Sequence, residues 1–177
     1  MNPNLAMSPR VSYLVLALLA AAAPVAAPAA AQEDATTTAR GAPDPCGLVT
    51  EAEAGAVAGV PMHRRASEPK NDLGRSCTYV GKAPGGAGAM SLRVVTYQCI
   101  CEPAAMVRRL EQNDWGNTRF QHEPELGPLT TSLVMAGSAQ VMGFKGRTGL
   151  TVHLASGVPG LDGLTRRGFA IAMKKLP

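Results

Sequence analysis

Met90-Ser91-Leu92-Arg93-Val94-Val95-Thr96-Tyr97-Gln98 is the stretch on which the fold turns. Leu92, Val94 and Thr96 alternate with Arg93, Val95 and Tyr97. That period of two puts successive side chains on opposite faces of a strand. Upstream, Ser76 to Val80 reads as a second strand. The Gly- and Pro-rich stretch from Ala83 to Gly88 supplies a loose turn between them, so the two form a hairpin.

Helices flank this hairpin. Thr50-Glu51-Ala52-Glu53 is a capping box: the Thr50 hydroxyl accepts from the Glu53 amide and the Glu53 carboxylate reaches back. Ala54, Val57 and Ala58 follow as an apolar stripe, and Gly59 then Pro61 stop the helix. Arg64 to Arg75 is a polar loop. Downstream, Pro103 suits the first turn of a helix with Met106, Val107 and Leu110 inside and Arg108, Arg109 and Glu111 outside. Asn113 to Asn117 ends it, Thr118 to His122 forms a short strand, and Pro124 to Thr131 is a loop.

Leu133–Met135 and Ala139–Phe144 are strand-like, and Lys145-Gly146-Arg147 is a turn. Leu150, Val152 and Leu154 then alternate with Thr151 and His153. Asp162 caps a last helix in which Leu164, Gly168, Ile171, Ala172 and Leu176 share one side, with Lys174 and Lys175 at its negative end. The order helix–hairpin–helix–hairpin–helix predicts an α+β fold: an antiparallel sheet of two hairpins with helices on one face. The two helix–hairpin halves repeat this order without matching residue for residue.

The chain opens differently. Arg10 is followed by an apolar run from Val11 to Leu19, an Ala/Pro stretch, and Ala29-Ala30-Ala31 before Gln32. A basic start, an apolar stretch and an Ala-x-Ala site form a cleavable signal peptide over residues 1–31. Pro24 and Pro28 interrupt the run, and its apolar part is shorter than the ~20 residues a membrane span needs. Residues 32–45, polar and small, read as a flexible lead-in, and 46–177 as one domain. Cleavage after Ala31 leaves 146 of 177 residues with a net charge of +3, too mild for nucleic acid. Export then means the periplasm or the medium, with no membrane span after cleavage. The basic residues gather late in the chain: Arg166, Arg167, Lys174 and Lys175 read first as a solvated helix surface and, as the alternative, as a face for an anionic partner.

All four cysteines, Cys46, Cys77, Cys99 and Cys101, follow the leader, so two disulfides are expected, with three possible pairings. Cys99-Ile100-Cys101 also puts two sulfurs on one face of a strand. As thiolates, with His63, His122 or His153, they could hold Cu(I) or Zn.

Pro45-Cys46-Gly47-Leu48-Val49-Thr50-Glu51-Ala52-Glu53-Ala54, with Gly59-Val60-Pro61 after it, resembles an opening shared by uncharacterised bacterial exported proteins and lipoproteins. That pattern runs Pro-Cys-x-Leu-Leu-Thr-x-x-Glu-Ala, a short helix, then Leu-Gly-x-Pro. A later Cys-x-Tyr, here Cys77-Thr78-Tyr79, opens its first strand, and a basic helix with a final Leu-Pro ends it. The resemblance implies a compact α+β domain outside the cytoplasm, with no catalytic residues to carry over. It implies a Cys46–Cys77 bridge, which leaves Cys99 to Cys101. Here the chain departs from the pattern by lacking a lipid-anchor cysteine and by carrying the extra Cys99 and Cys101. A rival pairing, Cys77 with Cys99 across the hairpin and Cys46 with Cys101, stays open.

Catalytic groupings are weak. Ser67-Glu68, Ser132 and Ser156 lie in no Gly-x-Ser-x-Gly elbow. His153 points outward on its strand, Asp114-Trp115 is a loop pair, and Glu123-Pro124-Glu125 reads as exposed loop carboxylates. Gly81 to Gly88 lacks the Lys-Ser ending and following helix of a phosphate loop. The reading is an exported, non-enzymatic binding or envelope accessory module without a cofactor. Its partner would be a protein, an envelope component or a small apolar ligand held between sheet and helices. The alternatives are a periplasmic metal-binding protein using Cys99 and Cys101, and an enzyme whose site the linear sequence hides.

Overall fold

The computed structural model describes residues 37–66, 72–113 and 118–177. The stretch read as a signal peptide, the lead-in up to Thr36, Ser67-Glu68 and Asp114-Trp115 lie outside the described residues. In chain order the elements are β1 (Thr37–Thr38), α1 (Pro45–Leu48), α2 (Glu51–Ala58), β2 (His63–Arg64), β3 (Arg75–Lys82), β4 (Ala89–Cys99), α3 (Pro103–Gln112), β5 (Gln121–His122), β6 (Thr130–Met135), β7 (Ser138–Lys145), β8 (Thr148–Ala155) and α4 (Leu161–Lys175). The fold is α+β with antiparallel pairing throughout the described sheet.

One sheet of eight strands replaces the two hairpins. Its order is β2-β3-β4-β8-β7-β6-β5, with β1 also on β4. β3 and β4 form the expected hairpin, with Cys77 opposite Val94 and Tyr79 opposite Leu92. β6, β7 and β8 form a meander, and β8 docks on the far side of β4, with Val94 opposite Val152. Thr130 and Thr131, read as loop, begin β6.

The stretch read as a flexible lead-in is docked from Thr37 onward. Thr37 and Thr38 pair with Cys99 and Gln98, where β4 outruns β3. Arg75 Nη1 donates to Ala42 O at 3.0 Å and Thr96 Oγ1 to Pro43 O at 2.6 Å. These are hydrogen bonds of a small, polar segment, which leave no trace in apolar periodicity.

The first face of the sheet carries the main core. Met90, Leu92 and Val94 of β4, Leu150, Val152 and Leu154 of β8, and Ala139 and Val141 of β7 pack under α2 and α4. The Thr50 capping box is present, with Glu53 N to Thr50 Oγ1 at 3.2 Å and Thr50 N to Glu53 Oε2 at 2.9 Å. The Tyr79 hydroxyl donates to Val49 O, tying β3 to the chain just before α2. The buried side of α4 is Leu161, Thr165, Gly168, Phe169 and Ala172, so the stripe expected through Leu164 and Ile171 is rotated toward Phe169. Asp162 sits in the first turn of α4 and Gly160 is its N-cap, which corrects the expected Asp162 cap. Phe169 lies against Gly143 of β7, where an added Cβ would come within 2.8 Å of the ring.

α3 occupies the opposite face, which corrects the expectation that all helices share one side. Val107 packs with Tyr97, Cys99, Met142 and Phe144, flanked by Val95, Cys101, Met106 and Leu110. The residues of β4 that alternate with the main core are themselves apolar near its end, and they call for a second cover. The Tyr97 ring crosses Gly149 on β8, where any Cβ would overlap it, and meets Phe144 edge-on at 5.8 Å.

Candidate functional site

The second face divides along its length. α3 covers the end near Cys99. Two residue pairs away, the register aligns a polar row across four strands: Thr78 on β3, Arg93 on β4, His153 on β8 and Gln140 on β7. Neighbouring strands are about 4.8 Å apart, so these side chains stand shoulder to shoulder. Ser91 and Ser138 lie one row further along, both opposite Ala155. None of these register neighbours is acidic.

Arg93, His153 and Gln140 are half-buried, while Thr78 is buried. The Arg93 Nε is buried and finds no hydrogen-bond partner among the described residues. A buried guanidinium nitrogen without an acceptor is costly, and it marks a place where an acceptor from outside would be welcome. Burial lowers the His153 pKa, and the positive charge of Arg93 lowers it further. The imidazole is therefore neutral near pH 7. Next along the face, burial pushes the Tyr97 phenol up, against a weaker pull from Thr151, and keeps it protonated.

The other expected site residues lie elsewhere. Cys46 and Cys77 are bridged, with Cα atoms 5.2 Å apart, pinning α1 to β3. Cys99 and Cys101 are bridged to each other at a Cα separation of 5.1 Å. No cysteine is free, so the sulfurs read as possible metal ligands are bonded to one another. His63 faces Glu51 at 3.9 Å on the β2 edge, and His122 contacts Glu111 at 3.0 Å. Neither joins His153, and no cluster of three or more His, Cys, Asp or Glu forms among the described residues.

Glu123 is not the exposed loop acid expected from sequence; it is 3% exposed. Ser132 Oγ donates to it, and Arg166 grips both of its carboxylate oxygens while also reaching Glu125 at 2.7 Å. Burial raises the Glu123 pKa against the pull of Ser132 and Arg166. The Glu125 backbone N–H and its link to Glu123 hold the exposed Glu125 carboxyl down. This network fastens α4 to the chain before β6 and uses up Arg166. Lys175 is likewise taken by Glu53, at 2.8 and 2.7 Å from its two oxygens. Of the four basic residues expected to meet an anionic partner, Arg167 is exposed on the outer side of α4, and Lys174 also lies on its surface.

Two surface grooves of about 500 Å³ each adjoin where α2 ends against β2 and β3, lined by Gly59, Val60, Pro61, Met62, Val80 and Lys82. They lie at a corner of the sheet, outside the layer between sheet and helices. No helix among the described residues is long and apolar enough to cross a membrane.

Sequence alone does not predict the Arg93–His153–Gln140 row: Arg93 and His153 each read only as alternating residues of separate strands. Their adjacency depends on β8 pairing with β4, and a single sequence carries no signal for that. No known protein family, curated protein or solved structure matches the chain.

Proposed function

We propose that this chain is an exported, non-enzymatic binding module that takes an anionic group of its ligand, a carboxylate or a phosphate, on the Arg93–His153–Gln140 row. The observation that carries this reading is the buried, unpartnered Arg93 Nε beside a half-buried neutral imidazole. Guanidinium binds carboxylate and phosphate through paired, charge-assisted hydrogen bonds. The Gln140 amide adds a neutral donor on the far side of His153. An anion settling here would cancel the repulsion of Arg93 and favour protonation of His153. Binding would then take up a proton and tighten as pH falls. The row holds no nucleophile paired with a base, which favours recognition over chemistry. Export is supported by the leader over residues 1–31 and by the two bridges, which suit an oxidising compartment.

Titration with acetate and with inorganic phosphate, followed by NMR of the Arg93 Nε–H, the His153 ring and the Gln140 amide, tests the site. All three are expected to shift together and saturate, with the His153 pKa raised in the complex and the response abolished in Arg93→Gln. Shifts concentrated on Arg167 and Lys174, or unchanged in the variant, would sink the reading. Export is checked on its own: mass spectrometry of protein from the envelope fraction or medium should find an N-terminus at or near Gln32, and an intact Met1 there refutes it.

A further inference from the structure

The Cys99–Cys101 bridge spans two residues, against 31 for Cys46–Cys77. So short a link restricts the unfolded chain little and adds little to the fold through chain entropy. The backbone around it is held by other means. Cys99 N donates to Arg147 O at 2.8 Å. Arg147 returns side-chain hydrogen bonds to Cys99 O at 3.2 Å, Ile100 O at 3.0 Å and Cys101 O at 3.3 Å.

The two sulfurs differ in access. Cys99 is 3% exposed within the second apolar cluster, while Cys101 lies at its edge, next to Met106. Ile100, between them, is 58% exposed and offers an apolar foothold for an extended chain. The Arg147 guanidinium, hydrogen-bonded to all three carbonyls, places a positive charge beside the bridge, and α3 starts at Pro103, two residues beyond Cys101. Glu102, the acid in this loop, is engaged by the amides of Ala104 and Ala105, with Arg108 at 3.8 Å.

We propose that Cys99–Cys101 is an exchange-active disulfide that oxidises thiol pairs on other polypeptides. This is independent of the anion row. A thiolate of the reduced client attacks Cys101 Sγ, forming a mixed disulfide. The Cys99–Cys101 bond breaks, and its electron pair leaves on Cys99 Sγ. The client's second thiolate then attacks its own sulfur in the mixed disulfide and releases Cys101 as thiolate. The client loses two electrons and two protons; Cys99 and Cys101 gain them. Arg147 grips only backbone carbonyls, so it keeps both cysteines in place through the cycle and acts as a positioning residue.

The test uses the full-length exported chain, oxidised, and a synthetic peptide carrying Cys-Gly-Gly-Cys in its thiol form. Alkylation and peptide mapping at timed intervals should show one peptide disulfide formed per Cys99–Cys101 bridge opened, with Cys46–Cys77 intact and its exchange at least about tenfold slower. In Cys99→Ala, Cys101 should accumulate a mixed disulfide when the oxidised peptide is supplied. In Arg147→Gln, the pH profile of Cys101 alkylation in the reduced protein should move to higher pH. A peptide that stays reduced in the presence of the wild-type chain overturns the proposal. So does reduction of both bridges together, at equal rates.

Discussion

The two faces of the sheet are built alike at one point and differently everywhere else. On each, an aromatic ring lies on a glycine of a central strand: Phe169 on Gly143 on the first face, Tyr97 over Gly149 on the second. The ring takes the space that a neighbouring side chain would need, and the glycine gives up any packing of its own. Around Phe169 the cover continues through α1, α2 and α4, and almost every inward residue is buried. Around Tyr97 it stops with α3, and the face passes into the half-buried row of Arg93, His153 and Gln140. The first face is committed to holding the fold. The second divides its length between core and a half-buried polar row.

Removing the anchors puts that difference to its hardest test. Phe169 is fully buried, and Phe169→Ala is expected to cost about 3–5 kcal/mol in urea unfolding. Phe144, 8% exposed beneath a ten-residue helix, should cost at least about 1 kcal/mol less on the same change. Equal losses would mean that the second face carries as much of the core as the first.

The bridges sharpen the contrast at a smaller scale. Replacing Cys46 and Cys77 together by alanine should cost roughly 3–4 kcal/mol, since the bridge closes a loop of 31 residues. Replacing Cys99 and Cys101 should cost only about 1–2 kcal/mol. A larger loss at the second pair would show that it braces the fold.

The smallest effect is expected at His153. Its pKa is lowered in the folded chain, so as pH falls the unfolded chain takes up the proton first, near its ordinary value of about 6.5. The stability tied to this group is complete above that pH and drains away as pH falls toward the lowered folded value. His153→Gln should flatten the stability profile in that window. A profile unchanged by the substitution would mean the imidazole does not sense Arg93 or its burial.

Local chemistry was legible in the sequence, and long-range placement was not. The Thr50–Glu53 box, the start of α3 at Pro103 and the alternation of β4 follow from neighbours within a few residues, and all are found. The side taken by α3 was missed because Val95 and Tyr97 alternate out of phase with Leu92 and Val94 yet are apolar themselves; period two names two faces but not which is covered. Glu123 looked like a loop acid because its partner, Arg166, lies 43 positions along the chain. Asp162 has the chemistry of a cap, but the turn at Gly160, in a left-handed conformation, caps α4 two residues earlier.

The position of β4 has a consequence for how the chain comes into being. Its first neighbour, β3, precedes it by a short turn; its second, β8, arrives only after β5, β6 and β7. Pairings of such reach close late. In a chain that emerges end first, from a ribosome or through a membrane pore, Cys46 and Cys77 can meet while β4 still has one bare edge. The Phe169 ring has nothing to rest on until the meander is complete. The cover of the main core is thus completed by the element made last, α4, on strands made just before it.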